Sequence, residues 1–211
     1  MNVLVHLLFA RHIHAAVCEQ IGVRLSWRGF LYGNILPDLS AKYDTHPHFV
    51  DESLAFALGC ASALYDQAGD KRLGAFGYAK DIGVVTHYLS DFCCHAHTKQ
   101  FSGDMKQHHW YEWKMLFAFD KGLSQYRTHL PDTADTLEAF TLFLKRSLRE
   151  QQNGLPSGVR DVFYAMKVST VMVLLLLRRA VYTQAILLYH ANEMYAFQQQ
   201  EEDWHESRLF L

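Results

Sequence analysis

The 211-residue sequence has little of what marks a β-rich or membrane-spanning protein. Only four prolines occur, and no segment alternates apolar and polar residues as a β-strand does. The strongest apolar run, residues 171–177, is followed by two arginines and is far shorter than the roughly 20 residues that a bilayer requires. We therefore expect no transmembrane segment.

The sequence also lacks cysteine pairs, a dominant charge and a targeting segment. Its four cysteines form no CxxC pair, and Cys93 and Cys94 are adjacent, which argues for reduced thiols and against a shared metal ion. The 20 Lys and Arg nearly balance the 22 Asp and Glu, so no nucleic-acid partner is expected. The N-terminal residues show no signal-peptide pattern, which predicts a cytoplasmic protein.

Helix is the structure that the remaining pattern predicts, because apolar residues recur at three- and four-residue spacing over long stretches. Half of the residues are hydrophobic, which is enough for the core of one domain. We expect an all-α, single-domain bundle of about six to eight helices over residues 1–211. The predicted helices span about residues 4–21, 51–67, 76–98, 103–126, 133–151 after a cap at Asp132/Thr133, and 158–200 as one or two helices. The segment that holds Pro37 and Pro47 is predicted to be a loop.

Histidine is the unusual component, with 13 residues, and imidazole is the commonest metal ligand. His87 and Asp91 are one helical turn apart and share a helix face, and His108 and Glu112 repeat this relation on the next predicted helix. A helix fixes both Cβ atoms of such a pair before a metal arrives, which suits a zinc chelate. One pair alone is usually a surface contact, but two pairs in a histidine-rich chain favour a metal site.

Further ligand types lie outside these two pairs, and the residues alone leave several choices open. The additional candidates are His6, Asp38 after Pro37, His46 or His48 around Pro47, His95 or His97 after Asp91, and His109 beside His108. A Pro-Asp pair on its own is more often a turn than a ligand. Helical geometry favours His95, which lies one turn after Asp91. We interpret His12, His14 and His190 as non-ligands.

The order His, Pro-Asp, His, His-x3-Asp-x5-His, His-x3-Glu resembles the ligand order of zinc-dependent phospholipases C, which are relatives of the fungal zinc nucleases. The resemblance covers roughly residues 3–113, and residues 114–200 are expected to complete the helical domain. It implies two or three zinc ions between the helices, and its spacing favours His97 over His95. The implied ligands are Asp38, His48, His87 and Asp91 for one zinc, His97, His108 and Glu112 for a second, and His6 with the shared Asp91 for a third.

The sequence departs from the family at its amino terminus. In the family, the third metal is also held by the amine and carbonyl of a first mature residue, a Trp that signal-peptide cleavage exposes. Here Met1 stands five residues ahead of His6, and the large Asn2 disfavours removal of the methionine. The amine of Met1 is expected to substitute if it reaches the site, and otherwise the third site would be weak or empty.

The resemblance implies a zinc-dependent phosphoric-ester hydrolase of the phospholipase C type, in which metal-activated water attacks phosphorus. Asp38 is the best candidate for the general base, and a phospholipid is the first candidate substrate. Two other functions stay open: a non-catalytic protein stabilised by metal, and a nuclease or phosphatase acting on a soluble phosphate ester. The nearest basic residues for the latter are Lys99, Lys106 and Lys114, and the aromatic residues Phe92, Trp110, Tyr111 and Trp113 are predicted to pack in the core. The sequence does not indicate the oligomeric state.

Overall fold

The computed structural model describes residues 1–69 and 74–209, which form seven α-helices and no β-strand. The helices are α1 (Val3–Ile21), α2 (Trp27–Leu39), α3 (Val50–Asp66), α4 (Phe76–Phe92), α5 (Met105–Arg127), α6 (Leu137–Gln152) and α7 (Gly158–Leu209). Two 3-10 turns, Ala41–Tyr43 and His95–His97, follow α2 and α4. The predicted all-α class and the predicted number of helices are confirmed.

Helix α4 lies at the centre of the fold and packs against α1, α2, α3 and α7. Every residue of its segment 82–92 is buried. A helix without a solvent face is normally apolar all round, yet this segment buries four polar residues: Thr86, His87, Ser90 and Asp91. These side chains must find their polar partners inside the protein.

Helix α2 occupies a segment that was predicted to be a loop, and this prediction was wrong. Ser26 begins the helix by accepting a hydrogen bond from the Gly29 N–H, as an N-cap residue does. Pro37 lies in the last turn of the helix, where its missing N–H removes a single bond close to the helix end. Proline therefore does not interrupt this helix.

Close packing of α2 against α4 explains why glycine, too, was misleading. A methyl group at Gly33 would overlap the backbone carbonyl of Lys80, and one at Gly83 would overlap that of Phe30. Both glycines lie within helices and allow the two backbones to approach each other. In the sequence Gly33 resembles a loop residue, whereas in the fold the two glycines bring the middle of α2 beside the middle of α4.

Two other predicted boundaries were wrong because local hydrogen bonds end or begin the helix elsewhere. The helix predicted over 76–98 ends at Phe92, since the next two N–H groups bond to Ser90 and Asp91 three residues back, in a 3-10 pattern. The helix predicted over 133–151 begins at Leu137, where Thr136, rather than Asp132 or Thr133, accepts the capping bond. The C-terminal segment, predicted as one or two helices, forms the single helix α7.

Helix α7 is the longest element. Its segment Gly158–Asn192 contains an 18-residue window with a mean hydropathy of 1.7, so it is long and apolar enough to cross a membrane when judged by length and composition alone. The core helix of a globular protein meets the same criterion, and residues 171–177 are all buried against the rest of the protein. This feature is therefore weak evidence for a membrane span.

Candidate metal centre

The structure brings together all eight residues that the sequence suggested as metal ligands. Their ligand atoms form four overlapping groups, and within each group these atoms lie within 4.8 Å of one another. The groups are His6/His87/Asp91, Asp38/His48/His87, His48/Asp91/His97 and His97/His108/Glu112. The last group is the set that the resemblance implied for one zinc, and the other three share Asp91 or His87.

Five parts of the chain supply these side chains. They are α1 with His6, the last turn of α2 with Asp38, the loop before α3 with His48, α4 and its following 3-10 turn with His87, Asp91 and His97, and the start of α5 with His108 and Glu112. The floor of the site is closed, because the side chains of His6, His87 and Asp91 are fully buried. The rim is open: Asp38, His48 and His108 expose 19%, 21% and 16% of their side chains.

Backbone carbonyls orient two of the imidazole rings. The Nδ1–H of His87 donates to the carbonyl of Asn34 at 2.8 Å, and that of His97 donates to the carbonyl of His48 at 2.9 Å. Each Nε2 is therefore left as an acceptor, directed toward the cluster. This arrangement of a fixed ring and a free nitrogen is typical of histidines that bind metal.

Two buried atoms of the cluster have no hydrogen-bond partner: Nε2 of His6 and Oδ2 of Asp91. Both nevertheless have close polar neighbours, since Asp91 Oδ2 is 2.9 Å from His48 Nδ1 and His6 Nε2 is 3.3 Å from Asp91 Oδ1. Close contacts without hydrogen-bond geometry are expected of atoms that converge on one ion. Because zinc prefers imidazole nitrogen and carboxylate oxygen, the residues present fit zinc.

The amine of Met1 lies inside the same cluster. It forms an ion pair with Asp91 and is 3.2 Å from His97 Nε2 and 3.5 Å from Glu112 Oε1. Burial lowers the pKa of this amine, but the carboxylates of Asp91 and Glu112 outweigh burial and raise it to about 11. The structure thus shows that the amine reaches the cluster and occupies a position between two carboxylates that suits a cation.

The electrostatics of the closed floor favour the protonation states that a metal requires. Burial raises the pKa of Asp91, but the Met1 amine and the surrounding imidazoles hold it well below its usual range. Burial also lowers the pKa of His6 and of His97, which favours the neutral imidazoles that bind metal. At the rim, burial lowers the pKa of His48, but the interaction with the Asp91 carboxylate 2.9 Å away outweighs burial and raises this pKa.

Asp161, at the start of α7, holds the metal-binding segments in place and was missed in the sequence. Its Oδ2 accepts hydrogen bonds from the His95 N–H at 2.8 Å and the Tyr111 hydroxyl at 2.7 Å, and its Oδ1 accepts one from Gln151 at 2.7 Å. These bonds connect α7 to the 3-10 turn that contains His97 and to α5 beside Glu112. An acidic residue in the first turn of a helix is common, so no local signal distinguished it.

The alternative histidines lie outside the four groups. His46 stacks on Phe56 with ring centroids 3.7 Å apart. The ring of His95 packs against Phe101 and Tyr111, and the argument from helical spacing fails because α4 ends before His95. The remaining alternative, His109, is exposed, with its Nδ1 3.8 Å from Glu112 Oε2. Among the described residues, His12, His14 and His190 belong to none of the groups.

Two of the aromatic residues expected in the core are on the surface. Phe92 is buried and Tyr111 is partly buried, as predicted, whereas Trp110 and Trp113 are exposed. The prediction was wrong for these two residues because they project from the side of α5 opposite Glu112. Cys93 and Cys94 are buried thiols outside the metal groups, and burial raises the pKa of both.

A cleft of about 600 Å³ reaches the cluster at His97. Its wall includes His97 of the cluster and Phe49, which follows His48, together with the basic residues Lys99, Lys145 and Arg149. Lys99 is paired with Asp51 at 2.7 Å. The volume is within the range of small-molecule sites, so the cluster has room for a substrate beside it.

Comparison with known proteins gives one match. The family model described as zinc-dependent phospholipase C matches residues 5–158. This range runs from α1 to the first residue of α7, includes all eight clustered residues and extends beyond the roughly 3–113 of the resemblance. No match was found among curated proteins or among solved structures. The match confirms the resemblance seen in the ligand order.

Proposed function

Because the chain belongs to the zinc-dependent phospholipase C family, we propose that it is a zinc-dependent hydrolase that cleaves the phosphate ester of a phospholipid. The observation that carries this proposal is the arrangement of eight ligand residues in four overlapping groups, two of which share the buried carboxylate Asp91, one of whose oxygens has no hydrogen-bond partner. The eight ligands are proposed to hold two or three zinc ions.

The buried residues of the site would hold the metal, and the partly exposed residues would face the substrate. Bound zinc would polarise a phosphoryl oxygen and lower the pKa of a bound water toward neutrality. The carbonyls of Asn34 and His48 hold His87 and His97 in register, so that these ligands need no reorganisation during the reaction. The buried floor excludes bulk water from one side, and substrate can approach only from the rim and its cleft.

Asp38 is the proposed general base because it combines a position in the cluster with access to solvent. Its Oδ1 is 3.6 Å from His48 Nδ1 and 3.6 Å from His87 Nε2. A carboxylate oxygen of Asp38 would accept the proton of the attacking water. Water then forms a new bond to phosphorus, the bond to the leaving alkoxide breaks, and the alkoxide takes up a proton.

The open rim favours catalysis over a purely structural metal site. Structural zinc sites are closed by four protein ligands and leave no position for water, whereas Asp38, His48 and His108 are partly exposed and a cleft reaches the cluster at His97. Of the lysines considered for a nuclease, Lys99 is neutralised by Asp51. Lys106 and Lys114 are exposed residues of α5 on the side away from the cluster.

The decisive experiment combines elemental analysis of untagged protein with assays on a short-chain phosphatidylcholine and on a chromogenic phosphodiester. We expect two or three zinc ions per chain and turnover of the phosphatidylcholine that a chelator abolishes and zinc restores. Bound zinc without turnover of either ester would support the structural alternative. Hydrolysis of the chromogenic diester alone would indicate that the substrate is a soluble phosphate ester. Absence of bound metal would contradict the proposed function.

The role of Asp38 is tested by Asp38→Asn, with Asp44→Asn, an exposed carboxylate in the following turn, as the control. Loss of a general base is expected to lower kcat by about 10²- to 10⁴-fold, while the control keeps the parent rate. Zinc content is measured for both variants. Full turnover by a zinc-loaded Asp38→Asn would exclude the base role.

A further inference from the structure

The side of α5 that faces away from the metal centre carries a line of large apolar side chains. Trp110, Trp113 and Phe117 expose 60%, 50% and 86% of their surface. Their spacing of three and four residues places them on one helix face. Contiguous exposed apolar surface of this kind marks an interaction site, and no described part of the chain covers it.

Three lysines accompany these aromatic residues. Lys106, Lys114 and Lys121 are exposed, and the helical repeat of 3.6 residues places them around the same outward side. The Nζ of Lys114 lies 5.3 Å from the centre of the Trp110 ring. None of the three forms an ion pair with a described residue, and the one acidic residue near the edge of this side is Asp120. The surface thus combines exposed apolar rings with three positive charges.

The same helix forms part of the metal centre on its inward side. His108 and Glu112, which bind in the cluster, lie on the same α5 as the line of aromatic residues. The outward side and the cluster are separated by the width of one helix, about 10 Å. A partner that covers the aromatic line would therefore be held close to the rim of the site.

We propose that this surface, named here the α5 face and consisting of Trp110, Trp113, Phe117, Lys106, Lys114 and Lys121, docks onto a lipid bilayer that contains anionic lipid. Tryptophan is favoured at membrane–water interfaces because its ring is apolar and its N–H is polar. Helices that lie on bilayers combine such residues with lysine. The inference deepens the proposed function, on which it rests for its purpose, since a bilayer is where a phospholipid substrate resides.

Charge is what favours a bilayer over a second copy of this chain. In a symmetric dimer the same surface meets itself, so the three lysines of one α5 face would approach the three lysines of the other. Like charges brought together in this way oppose association. An anionic lipid surface, in contrast, complements all three lysines at once.

The experiment measures binding of the zinc-loaded protein to sedimented vesicles of phosphatidylcholine, with and without phosphatidylglycerol. The triple variant Trp110→Ser/Trp113→Ser/Phe117→Ser is expected to lower the partition coefficient by about tenfold or more on both vesicles. The variant Lys106→Gln/Lys114→Gln/Lys121→Gln is expected to lower it by about tenfold or more on the anionic vesicles only. The control Leu142→Ser, which changes an exposed leucine of α6, is expected to bind as the parent does.

Helical circular dichroism and zinc content establish that each variant is folded. Unchanged vesicle binding by the folded aromatic variant would overturn the inference. A parent that does not bind vesicles but sediments as a dimer, which the aromatic variant abolishes, would also overturn it, in favour of a second copy. The two proposals can fail separately. A protein that binds vesicles through the α5 face but hydrolyses neither test ester would support membrane docking and contradict the hydrolase function.

Discussion

Two helices, α4 and α7, run through the interior of the protein, and their buried segments differ in composition. Residues 171–177 of α7 are all apolar and all buried, so their burial contributes directly to stability. Residues 82–92 of α4 are equally buried but include His87 and Asp91. Burial of these polar groups opposes folding unless partners compensate for the lost water. The buried segment of α7 therefore contributes to stability alone, whereas that of α4 also supplies ligands to the metal centre.

Among the described side chains, each of the two helices also buries one carboxylate, and the surroundings of these two carboxylates differ. Asp161 of α7 accepts three hydrogen bonds, and burial raises its pKa although those bonds lower it. Asp91 of α4 has an oxygen without a hydrogen-bond partner and lies among imidazoles and an amine that hold its pKa well below the usual range. A carboxylate whose oxygens accept hydrogen bonds from neutral groups stabilises the fold, whereas one that is surrounded by nitrogen ligands is placed to bind a cation.

The largest expected effect comes from removing the carboxylate of α4. Asp91→Ala is expected to lose bound zinc and at least about 1000-fold in kcat, because several kcal/mol of transition-state stabilisation depend on the metal. Asp81→Ala removes a partly exposed carboxylate of the same helix, paired with Lys80 and outside the metal groups, and serves as the control. Zinc content and turnover are measured together. If Asp91→Ala kept its zinc, Asp91 would not be a metal ligand that differs in role from Asp161.

The next effect tests the apolar helix. Leu176→Ala, at a fully buried position of α7, is expected to lower the free energy of unfolding by about 2–5 kcal/mol and to leave the zinc stoichiometry of the folded protein unchanged. Leu188→Ala, at an exposed position of the same helix, should change stability little. Denaturant unfolding and elemental analysis provide the two measurements. A loss of zinc from folded Leu176→Ala would show that the two helices do not divide stability and chemistry as described.

The smallest expected effect sharpens the contrast between the carboxylates. Asp161→Asn replaces one accepting oxygen by an amide donor, so at least one of the groups that now donate to Asp161 loses its acceptor. Residues that orient metal ligands typically contribute 10- to 100-fold to affinity, and we expect zinc affinity to fall by about tenfold. Competition with a chromogenic chelator measures this affinity, and Asp135→Asn, at an exposed position, is the control. Unchanged zinc affinity would make Asp161 purely a stability residue.

Prediction from the sequence succeeded where the signal is local and failed where a distant element decides. Helices α1, α3 and α5 begin and end within about two residues of the predicted bounds, because apolar periodicity and capping residues lie within each helix. Helix α2 was missed, since Gly33 and Pro37 are loop residues by local propensity. Its stability in the fold depends on the close packing of Gly33 against α4, which no local pattern reveals.

By itself, the sequence determined the helical class, through periodicity, and the set of ligand types, through the order of histidines and acidic residues. The residues alone left His46 or His48 and His95 or His97 open, and the resemblance implied His48 and His97. The tertiary structure places His48 and His97 in the cluster, because their ring positions depend on where α4 ends and on how the preceding loop packs. It also revealed the bonds of Asp161 and the outward direction of Trp110. Contacts between residues far apart in the chain decide all of these, and periodicity within one helix carries no information about such contacts.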